Sequence, residues 1–119
     1  MTIQHISTVT LAVEHMSLSV DFYVKLGLQL VYGGKDSSFA SFRAGAGFIN
    51  LVKTARRAEG WWGRVILRVE GVDSLYNQLL QKGMAPEMAP QDGIWGERYF
   101  HIKDPDGHEL SFAELLSSG

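Results

Sequence analysis

At 119 residues, with 45% hydrophobic and 20% charged residues, the chain has the length and composition of one globular domain with its own core, and not of a disordered segment. A net charge of -2 without any basic block removes the electrostatic case for nucleic acid or an anionic membrane as partner. With no cysteine, disulfides, thiol nucleophiles and thiolate metal sites are all excluded.

The opening Met1-Thr2-Ile3-Gln4-His5 lacks the basic and apolar regions of a signal peptide, and no apolar run is long enough to span a bilayer. A cytoplasmic location is the expectation. Next comes a block that alternates apolar residues with period two, Val9, Leu11 and Val13, as a strand with one buried face does. A helical stripe of Met16, Val20, Tyr23 and Val24 follows and ends near Gly27, a residue suited to closing a helix in the left-handed conformation. Three more strands are predicted at about 29–34, 37–44 and 47–53, punctuated by Gly33-Gly34 and Gly45-Ala46-Gly47.

After the polar segment Thr54 to Gly60 the pattern repeats. A shift of 56 residues carries Val9, Leu11, Val13, Glu14 and Gly27 onto Val65, Leu67, Val69, Glu70 and Gly83. The second helical stripe is Val72, Tyr76, Leu79 and Leu80, and strands are predicted at about 86–89, 97–103 and 108–115, with Asp104-Pro105-Asp106-Gly107 as the last turn. The chain thus reads as an α+β protein, a tandem of βαβββ modules at about 1–54 and 61–119 within one domain covering 1–119. A mostly antiparallel eight-stranded sheet with the helices on one face buries both stripes.

Period two also separates the sheet faces. Val9, Leu11 and Val13, their repeat partners, and Leu110 and Phe112 are predicted to face the helices. Thr8, Thr10, Phe48 and Asn50 fall on the other face in the first module, and Arg64, Ile66, Arg68, Glu109 and Ser111 in the second. A face so mixed in polar and aromatic character suits either a cleft wall or a solvated surface, and alternation does not separate the two. Among four histidines, His15 reads as a loop residue or local cap and His108 as an exposed residue after the turn. His101, between Phe100 and Ile102, shares the site face as a hydrogen-bonding wall, a ligand or a base. Trp61 and Trp62 lie between the modules and Trp95 precedes a strand, where each packs a junction or offers flat apolar contact to a ligand.

Leu11-Ala12-Val13 leading into Asp21-Phe22-Tyr23 and Leu26-Gly27-Leu28, with the stretch from Trp95 through Asp104-Pro105-Asp106-Gly107 to Leu110, resembles the vicinal oxygen chelate superfamily of glyoxalase I, extradiol dioxygenases and bleomycin-resistance proteins. The resemblance covers nearly the whole chain. It implies that the two modules curl the sheet into a cup with the helices outside. Enzymes of that superfamily hold a divalent metal inside the cup on His, Gln or Glu; the matching positions here are Thr8, Asn50, Arg64 and Ser111. Hydroxyls and an amide carbonyl are weak neutral donors, and Arg64 adds a fixed positive charge. No metal and no other cofactor is therefore expected.

The resemblance then implies a metal-free binder of the bleomycin-resistance type, a homodimer sequestering an aromatic or amphipathic drug or natural product in a cleft between subunits. Ligand contacts are expected from Thr8, Thr10, Phe48, Asn50, Trp61, Trp62, Arg64, Arg68, Trp95, Tyr99, His101, Glu109 and Ser111. The small net charge and the two arginines favour a neutral or anionic ligand over a polycation. The competing reading is a glyoxalase- or dioxygenase-like lyase or isomerase. It would use His101, Tyr99 or Glu109 as acid or base, or a displaced metal on His5, His101 and Glu109.

Overall fold

In the computed structural model, which describes residues 1–55 and 60–116, the chain divides into two compact units, Met1–Gly60 and Trp61–Gly119. The first holds β1 (Thr8–Val13), α1 (Met16–Leu26), β2 (Gln29–Gly33), β3 (Phe39–Ala44) and β4 (Gly47–Lys53). The second holds β5 (Arg64–Arg68), α2 (Val72–Gln81), β6 (Gln91–Asp92), β7 (Glu97–Lys103) and β8 (Glu109–Leu115). The α+β architecture of two βαβββ modules is the one the repeat predicts. Each module forms one four-stranded sheet, ordered β1-β4-β3-β2 and β5-β8-β7-β6, with a parallel first pair and antiparallel remainder. No helix among the described residues is long and apolar enough to cross a membrane.

In the first module α1 lays Met16, Ser19, Val20, Tyr23 and Leu26 against a sheet face that buries Leu11, Val13, Phe42, Ile49 and Leu51. Tyr23 meets Phe42 with ring centroids 5.6 Å apart. Val24, assigned to this stripe from its spacing, is half exposed instead, and Leu26 fills the position one turn after Tyr23. Gly27 closes α1 at φ 103°, where Leu28 N–H reaches back to the Tyr23 carbonyl. Gly33 ends β2 at positive φ, and a Cβ there would collide with the Phe39 carbonyl oxygen, so the β2–β3 connection requires glycine.

In the second module Val72 and Leu79 of α2 are fully buried with Phe100, Ile102, Leu110 and Phe112, and Tyr76 meets the Phe100 ring edge-on. Leu80 turns outward, for the same reason as Val24. The N-terminus of α2 is capped from outside the helix: the backbone N–H groups of Gly71 and Val72 donate to the Glu114 carboxylate of β8 at 2.9 and 3.1 Å. These two bonds hold the Glu114 carboxyl below the usual range.

The strand predicted at 86–89 does not form. Pro86 has no N–H to give a ladder, and only Glu87 N–H reaches β7, at the His101 carbonyl; the pairing strand is the short β6 after Pro90. The other predicted strands form within two residues of their expected limits.

Candidate functional site

The face of the second sheet opposite α2 is built in rows by the strand register. Arg64 pairs with Glu109 and Glu109 with Lys103; Ile66 pairs with Ser111 and Ser111 with His101; Arg68 pairs with Ala113, Ala113 with Tyr99, and Tyr99 with Gln91. Alternation puts all of these on one side. Ile66 is 60% exposed there, whereas Glu109, Ser111 and Ala113 of the central strand are buried.

Two clusters sit on these rows. In the first, Glu109 takes the Trp61 indole N–H on Oε2 at 2.8 Å and the Arg64 guanidinium on Oε1 at 2.9 Å, and that guanidinium lies 5.4 Å from the Trp61 ring centroid. The His101 Nδ1 approaches the same Oε1 only to 3.8 Å, too far for a hydrogen bond, and this buried nitrogen has no partner among the described residues. Burial, and next the positive charge of Arg64, hold His101 below the ordinary histidine range, so its ring is neutral at pH 7. In the second cluster, Trp95, Tyr99 and His101 form an aromatic row with centroid spacings of 5.0 and 5.1 Å. Glu97 accepts from both Trp95 Nε1 (2.8 Å) and Arg68 (3.0 Å), and Gln91 donates to the Tyr99 hydroxyl.

Of the expected contacts, Trp61, Arg64, Arg68, Trp95, Tyr99, His101, Glu109 and Ser111 are therefore gathered on one face of one module. Trp62 is directed elsewhere. Its N–H donates to His108 Nδ1 at 2.8 Å, and His108, expected from the sequence to be exposed, is buried. The same hairpin is pinned by Asp104 Oδ1, which accepts from the backbone of Asp106 and His108. Thr8, Thr10, Phe48 and Asn50 lie in the first module, where Thr8 pairs with Phe48 and Thr10 with Asn50, and the Arg43 guanidinium stands over Phe48 at 5.3 Å. A recess of about 460 Å³ opens in that module between Glu14–Ser17 at the start of α1, the turn at 35–38 and Lys53, and none of the expected contacts lines it.

Sequence reasoning missed Glu97 and Gln91. Glu97 was legible in principle, two residues before Tyr99 on the same alternating face. Gln91 was not, because its strand was expected earlier.

A family model described as the glyoxalase/bleomycin resistance protein/dioxygenase superfamily matches residues 2–112. The chain belongs to that superfamily. Among its relatives, bleomycin resistance proteins of Geobacillus stearothermophilus and Staphylococcus aureus are 29% identical, with 91% of this chain and 95% of theirs aligned. Similar solved structures include a glyoxalase family protein from Bacillus anthracis (TM-score 0.82, 18% identity, 96% of this chain and 97% of that one). They also include the fosfomycin resistance protein FosX from Listeria monocytogenes (TM-score 0.78, 16% identity, 95% and 94%). These two share the superfamily fold.

The superfamily's metal does not fit the donors present. The positions expected from the resemblance are Thr8 and Asn50 in one module, where Asn50 pairs with Thr10, and Arg64 and Ser111 in the other, where Ser111 pairs with Ile66. Arg64 puts a cation at one of these positions, and its neighbouring carboxylate, Glu109, is already committed to Arg64 and Trp61. Among the described residues no three His, Asp or Glu side chains stand close enough together to hold an ion.

Proposed function

We propose that this superfamily member is a binding protein of the bleomycin-resistance type, acting without catalysis or metal as a single two-module domain. It sequesters a small aromatic or amphipathic molecule, neutral or anionic, in the cytoplasm and as a homodimer with the cleft at the subunit interface. The observation that carries the reading is the second-module face itself. The aromatic row Trp95–Tyr99–His101 lies beside two arginines whose charge is balanced by Glu109 and Glu97, and Trp61, Ile66 and Trp95 are each more than half exposed. Flat, amphipathic and charge-neutral, such a surface takes planar ligands at low entropic cost. The 29% identical bleomycin resistance proteins support the class, and the unsuited donor set at Thr8, Asn50, Arg64 and Ser111 supports a metal-free role. Thr8, Thr10, Phe48 and Asn50 are proposed as further ligand contacts, and Trp62 as the brace of the hairpin that carries His108.

The test is quenching of the three tryptophans by planar aromatic compounds, together with metal analysis after exposure to excess Mg, Mn, Fe, Ni and Zn. Saturable quenching that Trp95→Ala weakens supports the binder. Tightly held stoichiometric metal, lost on His101→Ala, overturns it.

A further inference from the structure

We propose that the ligand of this face is a planar aromatic carboxylate, seated with its carboxylate on Arg64, and that binding draws one proton onto His101. The inference rests on reading the face as a binding site and names what that site selects.

Arg64 is the cation that meets the same Glu109 oxygen as His101. Arg68 is held by Glu97, and Lys103 faces Glu87 at 3.5 Å. Arg64 gives Nη2 to Glu109 and stacks toward Trp61, while the other donors of its fork have no partner among the described residues. A planar guanidinium with donors to spare takes a carboxylate in a forked pair, and the aromatic row running from His101 to Trp95 gives the attached ring a surface.

An anion placed there stands beside Glu109, so two carboxylates share one guanidinium. Like charges so close raise the proton affinity of their surroundings. The group placed to respond is His101, whose buried Nδ1 is unpartnered and 3.8 Å from Glu109 Oε1. The charged groups that bear on this ring are Arg64 from β5, Glu109 from β8, and Glu87, whose own N–H bonds the His101 carbonyl; among them Arg64 opposes protonation. A ligand carboxylate cancels that opposition and adds a second negative charge. One proton then enters at His101 Nδ1, and the imidazolium N–H closes on Glu109. The net charge of the site is conserved when the ligand arrives.

The experiment compares 2-naphthoate with its neutral analogue 2-naphthalenemethanol, by tryptophan quenching between pH 6 and 8.5 and by calorimetry in buffers of differing ionisation enthalpy. The expected result is a preference for the carboxylate of roughly tenfold or more, the gain of one charged hydrogen-bonded pair. Uptake should be about one proton per naphthoate at pH 7.5, and affinity should fall as pH rises. In His101→Gln the proton uptake and the pH slope vanish, whatever the change in affinity for either compound. In Arg64→Gln, a second variant that guards against misfolding of the first, the carboxylate preference is lost. Binding of naphthoate without proton uptake, or equal binding of the alcohol, overturns this inference and leaves the binding function standing. Quenching by neither compound overturns both.

Discussion

A carboxylate only 7% exposed needs partners, and Glu109 has two of different kinds, a neutral indole N–H and a guanidinium. Arg64→Met leaves the charge with the indole alone. The expected cost is about 1–3 kcal/mol in chemical denaturation, the penalty of an under-compensated buried anion. Arg64→Met with Glu109→Gln, which removes that anion, should be less destabilised than Arg64→Met by itself, and equal losses would show that the pair is not coupled. His101 gives a second prediction at this scale. Burial and Arg64 depress its proton affinity in the fold, so the unfolded chain binds the proton at higher pH. The stability held by the neutral ring is complete above the ordinary histidine range, about pH 6.5, and is lost as pH falls from there through the depressed folded value. Denaturation at pH 7.5 and 5.5 should therefore show a loss on acidification that His101→Gln reduces.

Among the elements, α2 depends most on a distant residue. Its first two N–H groups are satisfied by Glu114, 42 or 43 positions along the chain, and the same bonds depress the Glu114 carboxyl. The stabilisation is present at neutral pH and is lost as pH falls through that lowered value. Glu114→Gln should lower Tm at pH 7, with the difference from wild type shrinking toward pH 3. At the other helix, Gly27→Ala forces a Cβ into φ 103° and should cost about 1 kcal/mol by the same measurement.

These elements also show what the sequence discloses. Period two located β1, β5, β7 and β8 because each alternates, and the 56-residue repeat fixed the module order. Period 3.6 located both helices but placed Val24 and Leu80 in the core, since a spacing of four fits two adjacent stripes and only packing chooses between them. The brace of Trp62 on His108 was out of reach, as 46 residues separate the two and neither belongs to a periodic pattern. The site face was legible as a list of residues; the commitment of Glu109 to Arg64 and Trp61 was not, because register across strands sets it.

For the whole molecule, each sheet ends in two edge strands, β1 and β2 in one module and β5 and β6 in the other, and unpaired edges favour association. Light scattering at micromolar concentration is expected to give two chains per particle. A monomer would remove the subunit cleft from the proposed function while leaving the second-module face intact.

Strand β8 is buried from Glu109 through Ala113, flanked on both sides by paired strands, and carries next to its last residue the glutamate that caps α2. Mutational tolerance in this protein is accordingly uneven. A library randomised at positions 61, 66, 68, 95 and 99 is expected to keep most members folded, whereas one randomised along β8 loses the core and the helix cap together. On the proposed reading of this face, new ligand preferences would arise through the flanking strands and tryptophans, with the central strand held constant.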